Sequence, residues 1–359
     1  MKYAPLADNP RAAIDAVVTG EADGLSVPTS GSTGVPRDVL LGLRAIRTSA
    51  FSTVARLGGP GSWLLALPPN RIGGALVAIR AGLTDQPLIT MPPGPFTATS
   101  FALAAAQVPP GRRYVSLVPT QVVRLMASQV GRDALALFDA VLVGGAAFGD
   151  GERPSNVIET YGMTETTGGC VYDGDPLEGV DVAIGDDDRI LISGTTLADG
   201  YSDGDKSPWV THDHLRWLRT GDLGRWNGGR LEVLGRADDV IISGAHKVHP
   251  VVVERAIAAL GGIADVAVVG VGDAEWGKRV VAVIEPAGSD PLDLSNAPDA
   301  PDAPEPYSIS ELRDRLRDQL PYYCLPRDLV VTRSMPRGAG GKIDRKAVTA
   351  LASRPVAGR

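Results

Sequence analysis

Hydroxyl side chains and glycines interleave in Pro28-Thr29-Ser30-Gly31-Ser32-Thr33-Gly34-Val35-Pro36-Arg37, the densest run of potential chemistry in the chain. Glycine lets a backbone approach a ligand closely, and alternating N–H and O–H groups can surround the oxygens of a polyphosphate. The spacing is not GxxxxGK[ST], which excludes the P-loop NTPase arrangement. By composition alone the run reads as a Ser/Thr/Gly surface linker. The motifs that accompany it favour phosphate.

Tyr161-Gly162-Met163-Thr164-Glu165-Thr166 offers an aromatic ring to stack on a purine, a hydroxyl for a phosphate oxygen and a carboxylate for a hard cation such as Mg²⁺. It comes shortly after Gly144-Gly145-Ala146-Ala147, a glycine pair that ends an apolar run. Thr220-Gly221-Asp222-Leu223 reads as a turn that presents one carboxylate, suited to accept from both hydroxyls of a ribose or to close an Asx-turn. Gly235-Arg236-Ala237-Asp238-Asp239 follows, and Gly340-Gly341-Lys342-Ile343-Asp344-Arg345-Lys346 sets a lysine on a glycine turn near the C-terminus, either as a placed cation or as part of a solvated basic tail. His212 and His214 have no evident third ligand, so they read as an exposed turn rather than a metal site.

Positioning these groups requires a layered scaffold. Ser62–Leu67, Tyr114–Val118 and Ala140–Val143 read as buried strands, alternating with helical stretches at 72–80 and 121–126. From about Val180 the texture changes to short strands, Asp181–Ile184, Ile190–Ile192, Arg216–Leu218 and Arg230–Leu234, separated by Gly, Asp and Asn. A second α+β unit follows Gly235, with strands at 240–242, 266–271 and 280–284 and helices at 250–260 and 308–320. In the last helix Ile309, Leu312, Leu316 and Leu320 share one face. Between them, Asn296-Ala297-Pro298-Asp299-Ala300-Pro301 and its flanks, about 287–307, have the composition of a mobile surface loop. The expected fold class is α/β plus α+β: a large N-terminal α/β domain with a β-rich subdomain, and a small C-terminal α+β domain.

The chain has 359 residues, 44% hydrophobic and 21% charged, as expected of a folded chain with two domains. Its formal net charge of −7 provides no field to hold nucleic acid, so any phosphate must be met by local donors. Two cysteines, Cys170 and Cys324, form no CxxC pair, consistent with a cytoplasmic protein without a disulfide framework or thiolate metal site. No apolar run approaches the length of a membrane span, and the N-terminus carries no apolar signal core.

In this order, the motifs from Thr29 to Lys346 resemble the adenylate-forming superfamily of acyl-CoA synthetases, adenylation domains and luciferases. Within it, Ser116-Leu117-Val118-Pro119-Thr120-Gln121, the segment Tyr161–Thr166 with Gly168-Gly169-Cys170-Val171-Tyr172, and the segment 192–201 look most like the o-succinylbenzoyl-CoA synthetases of menaquinone biosynthesis. The resemblance implies ATP, Mg²⁺ and coenzyme A as co-reactants and a small carboxylic acid as substrate. The acid's carboxylate would attack the α-phosphorus of ATP and expel pyrophosphate, after which the CoA thiol would attack the acyl carbon and expel AMP.

By the same resemblance Ser30, Ser32 and Thr33 hold the β- and γ-phosphates in a nucleotide-binding loop that also includes Thr29, Gly31, Gly34 and Arg37, Thr164 holds the α-phosphate and Glu165 the metal. Tyr161 and Gly145 take adenine, with Gly144, Ala146 and Gly162 also in the nucleotide site, Asp222 and Arg236 take the ribose, and Lys342 bridges carboxylate and α-phosphate. Asp238 is the hinge between domains 1–237 and 238–359, and Ser243, Gly244 and His246 belong to the CoA-facing segment. A second substrate carboxylate needs a buried cation or several donors, and Arg71 and Arg124 with Gly73, Thr120 and Gln121 are its candidates.

Three departures stand out. Pro36-Arg37-Asp38 replaces the usual Pro-Lys-Gly, setting a negative charge close to where pyrophosphate would sit. Asn70-Arg71 stands where many relatives carry histidine. The phosphate loop begins unusually early, and a homo-oligomer is expected to cover surface that a longer N-terminal region would cover. The alternatives are a CoA ligase for another aromatic or fatty acid, and a non-catalytic ATP-binding relative.

Overall fold

Short apolar runs without polar alternation suit strands covered on both faces. In the computed structural model of the protein, Ser62–Leu65 and Ala140–Val143 are such strands, with every residue buried. The structure describes residues 1–29, 37–145, 153–287, 307–338 and 342–354. The chain divides into two units, one of Met1–Ala146, Pro154–Thr220 and Gly224–Glu232, the other of Ala147–Arg153, Gly221–Leu223 and Val233–Arg359.

The first unit is built on a seven-stranded sheet in the order Asp175–Pro176, Gly168–Tyr172, Val157–Met163, Ala140–Val143, Arg113–Leu117, Ser62–Leu65, Leu88–Thr90. From Val157–Met163 to Leu88–Thr90 the neighbours are parallel, and helices such as Ile72–Leu83 make the crossovers. A second sheet pairs Tyr3–Pro5, Gly24–Thr29, Arg37–Gly42 and Gly200–Tyr201. Its core joins Leu25, Val27, Val39 and Leu41 to Ile46, Leu76 and Ile79 from the two helices that follow. The short strands expected after Val180 form an antiparallel group, Val180–Ile184, Arg189–Gly194, Trp209–His212, Leu215–Asn227 and Arg230–Arg236. Leu215–Asn227 runs 13 residues without a break, so Asp222 lies inside a strand and not in the turn expected from Thr-Gly-Asp. The isolated tripeptide resembles a turn, and pairing on the neighbouring strand overrides that local preference.

In the second unit, strand period two sorts the core onto two faces of one sheet. Ile263–Asp273 pairs antiparallel with Gly277–Pro286, which pairs parallel with Asp328–Val331. One face sets Val266, Val268, Val280, Ala282 and Ile284 against the helices Pro250–Ala258 and Ile309–Leu316. The other sets Ala267, Val269, Val271, Val281 and Val283 against Val348 and Ala352 of the helix Arg345–Ala352. The last helix on the first face is shorter than the expected 308–320: Ser308 caps it through a reciprocal pair with Glu311, and it ends at Leu316. Leu320 still packs in the core. Residues 288–306 of the expected surface loop lie outside the described residues.

Both cysteines are buried, Cys170 at 0% and Cys324 at 7% exposure. Burial pushes their thiols up, to about 12 and about 11. Among the described residues no helix is long and apolar enough to cross a membrane.

Candidate active site

The hairpin Gly24–Thr29/Arg37–Gly42 pairs Thr29 with Arg37, and the Thr29 hydroxyl donates to the Arg37 carbonyl at 3.1 Å. Ser30, Gly31, Ser32, Thr33 and Gly34, between these two ends, lie outside the described residues. Arg37 Nη1 donates to Asp205 Oδ2 at 2.7 Å, and its guanidinium carbon lies 3.6 Å from the centroid of the Tyr201 ring. Burial works against the Arg37 charge, yet the bond to Asp205 and the neighbouring negative charges raise its affinity for the proton above the ordinary value. Asp38 is engaged elsewhere: Ser26 Oγ donates to its Oδ2 at 2.6 Å. Successive strand side chains point to opposite faces, so Asp38 belongs to the face that Arg37 does not occupy.

Glu165 is fixed by its surroundings. Its Oε1 accepts from the Tyr201 hydroxyl at 2.8 Å, and its carbonyl accepts from Ala198 N at 2.8 Å. Burial first, then the Glu165 charge and hydrogen bond, push the Tyr201 phenol above its ordinary range, so the ring remains a donor. Glu165 lies in the single 3₁₀ turn Thr164–Thr166 that follows the strand Val157–Met163. Thr166, fully buried, accepts from Met163 N at 2.9 Å and donates to Gly168 O at 2.8 Å. Thr167 takes a left-handed φ of 53° and donates to Thr196 O at 2.7 Å. Half-buried Thr164 and Glu165 are thus held on a turn whose other hydroxyls are committed to backbone.

Tyr161 and Gly162 precede that turn on the same strand. A Cβ at Gly162 would lie 2.1 Å from Gly168 O, so only glycine lets these strands pair here. Gly144 packs against the Thr160 side chain and Gly145 has a φ of 88°, which brings the glycine pair beside the strand carrying Tyr161. Ala146 lies outside the described residues. In the expected acyl-pocket segments, exposed Arg71 stands at the N-cap position of the helix Ile72–Leu83 without a side-chain capping bond, and Gly73 lies in its first turn. Thr120 is half-buried and Arg124 exposed on the helix Pro119–Met126. Gln121 serves the backbone: its Oε1 accepts from Val118 N at 3.0 Å and its Nε2 donates to Ala66 O at 3.3 Å.

The second unit gathers Asp222, Arg236 and Asp238. Arg236 lies 3.5 Å from Asp222 Oδ1 and 3.9 Å from Asp238 Oδ2. Its guanidinium sits over Gly221, where a Cβ would come within 2.6 Å. The two neighbouring aspartates of the 3₁₀ turn Ala237–Asp239 differ in kind: Asp238 is 78% exposed, whereas Asp239 pairs with Arg345 at 3.0 Å. Arg345 also grips Glu254 through Nη2 at 2.8 Å and donates to Val268 O. Burial raises the Glu254 carboxyl above the usual range despite that cation. Lys342, exposed, lies three residues before Arg345, and its carbonyl accepts from Gly338 N.

Ser243 and His246 pair across the hairpin Ile241–Ser243/His246–Val248, with left-handed Gly244 and Ala245 in its turn. The His246 ring stacks on Tyr323 at 4.3 Å between centroids, and Tyr322 OH lies 3.3 Å from His246 Nε2. No local pattern marked Tyr322, Tyr323 or Asp205, and Tyr201 stood out only as the end of the segment 192–201, because each meets its partner only through the fold.

No group of three or more His, Cys, Asp or Glu suited to a metal comes together among the described residues. Magnesium commonly binds through one or two carboxylates together with substrate phosphates, and a single carboxylate oriented by Tyr201 fits that manner of binding.

Residues 252–342 match the AMP-binding enzyme C-terminal domain. Over 340 residues the chain is 38% identical to a probable 2-succinylbenzoate–CoA ligase of Mycobacterium tuberculosis, covering 90% of this chain and 83% of that protein. It shares the fold of the o-succinylbenzoate CoA synthetase (MenE) from Bacillus subtilis in complex with the acyl-adenylate intermediate OSB-AMP, with a TM-score of 0.71 at 24% identity over 90% of this chain and 68% of that one. The same synthetase in complex with ATP and magnesium ion gives 0.69 at 23% identity over 90% and 69%. The chain therefore belongs to the AMP-binding, adenylate-forming enzymes, in the family of the 2-succinylbenzoate–CoA ligases.

Proposed function

We propose that the chain activates 2-succinylbenzoate as its acyl-adenylate at the expense of ATP and transfers the acyl group to coenzyme A. The observation that carries this reading is the 38% identity across 340 residues with the mycobacterial ligase, a span that includes the fixed Glu165 and the Asp222/Arg236 pair. In the first half-reaction a carboxylate oxygen of the acid attacks the α-phosphorus and the bond to pyrophosphate breaks. In the second, the CoA thiolate attacks the acyl carbon and AMP leaves with the oxygen the acid supplied.

Each half-reaction asks for position and charge more than for a nucleophilic side chain. Thr164 would hold an α-phosphate oxygen, Arg37 and Thr29 the outer phosphates, and Tyr161 with Gly145 the adenine. Glu165, oriented by Tyr201, would hold magnesium, which when bound supplies positive charge to the phosphate oxygens. Asp222 would accept from the ribose with Arg236 beside it. Lys342 would screen the growing charge of the first step, and exposed Asp238 would serve as hinge before Ser243, Gly244 and His246 take part in the second. Gln121 is occupied by backbone partners, which leaves Arg71, Arg124 and Thr120 to anchor the second carboxylate.

Pyrophosphate release measured with a panel of acids, with and without CoA, tests the whole reading. The expected result is release that depends on 2-succinylbenzoate and, with CoA present, formation of its thioester. Release only with other acids would move the substrate, and release with none would remove the catalytic reading.

A further inference from the structure

Arg37 already has a carboxylate partner in the first unit, and that partner is itself held. Ser207 N donates to Asp205 Oδ1 at 2.8 Å, Ser207 Oγ to Oδ2 at 3.0 Å, and Asp205 N donates back to Asp203 Oδ1 at 2.9 Å. These turn bonds, Ser207 N first, and then Arg37 hold the Asp205 carboxyl below its usual range, so it stays ionised near neutrality. Opposite it, the Tyr201 ring supports the guanidinium at 3.6 Å while its hydroxyl holds Glu165 at 2.8 Å. One ring therefore places both a cation and a carboxylate, and a turn 168 residues from Arg37 in sequence supplies the counter-charge.

We propose that Asp205 is a positioning residue that competes with the nucleotide for Arg37, so that the phosphates of ATP must take the guanidinium from Asp205 and their departure returns it. This rests on the nucleotide-binding reading above. The two side chains are 27% and 33% exposed, and a pair this open to water is easily exchanged. An ion pair of this kind shifts an equilibrium by a factor of about two to five, far less than several phosphate charges contribute. With its carbon 3.6 Å over the Tyr201 ring, the guanidinium can turn from one partner to the other without losing that support. In place of the usual lysine, the planar group suits such an exchange, since it can stack on the ring and still present its fork.

Asp205→Asn keeps the oxygen that receives Ser207 N and removes the charge. Calorimetry should show ATP and, separately, inorganic pyrophosphate binding about two- to fivefold more tightly, with a steeper dependence on salt. KM for ATP should fall in the same proportion while KM for the acid does not move. Asp205→Glu should stay near the parent protein, and Ser207→Ala, which only loosens the carboxylate, should shift in the direction of Asp205→Asn by a smaller factor. If Asp205 merely staples its loop, Asp205→Asn will bind ATP more weakly or unchanged, and the proposal falls with the nucleotide reading intact. Failure of the parent protein to bind ATP at all would remove both.

Discussion

A methyl group at Gly221 would press on the end of a long side chain, and that end is the Arg236 guanidinium, 2.6 Å away. Arg236 can yield, but only by leaving its place 3.5 Å from Asp222. Gly221→Ala is therefore expected to weaken ATP binding by about 1–2 kcal/mol while lowering the melting temperature little, because charge-assisted contacts are lost without a cavity. Calorimetry paired with a thermal melt checks it, and a large loss of stability at unchanged affinity would make Gly221 a folding residue only. For Lys342→Ala the expected outcome is loss of adenylation with thioester formation from presynthesised acyl-AMP retained, read in single-turnover experiments on each half-reaction. Equal loss in both would contradict its assignment to the first step alone. Lys342, Glu165 and Asp222 could be singled out as candidates because their neighbours resemble the family's motifs in order. Asp205 and Tyr201 could not, since an ion pair or a ring stack closed across so long a stretch of chain leaves no local pattern.

The turn Thr164–Thr166 shows how an element holds its functional groups. Thr166 is fully buried and bonds Met163 N and Gly168 O through one hydroxyl. Thr166→Val keeps the shape and strands both groups, which should lower stability by about 1–3 kcal/mol. The same change should raise the magnesium concentration needed for half-maximal activity, because Glu165 sits on that turn. A melt with a magnesium titration separates the two effects, and an unchanged magnesium requirement would show that Tyr201 alone sets the carboxylate. At this scale the sequence was readable where hydrophobic period is long. Ala140–Val143 and Val280–Ile284 stand within the strands their apolar runs imply. It misled at Thr-Gly-Asp, whose turn-like composition is overruled by strand pairing. It offered Gln121 as a substrate donor, whereas in the fold its amide accepts from Val118 N and donates to Ala66 O.

For the whole chain, the two-faced core of the second unit is the feature that most constrains behaviour. Its apolar clusters lie on opposite sides of one sheet and draw on helices of the same unit. A fragment of residues 233–359 is expected to fold alone, with a cooperative melt and near-ultraviolet dichroism. A broad, non-cooperative melt would show that this core needs the rest of the chain. The apolar runs of 266–271 and 280–284 made these two strands legible, while the covering of both sheet faces came only with the fold. Where the units divide was less so, because Gly221–Leu223 groups with the second unit from within a continuous strand and nothing in the composition marks that change. The burial of both cysteines also bears on the bench. A thiolate fraction that small, on sulfurs the solvent scarcely reaches, makes the native protein nearly invisible to aromatic disulfide dyes. The free thiol of coenzyme A can then be titrated colorimetrically in the reaction mixture, with little protein blank to subtract and no cysteine-free variant to prepare.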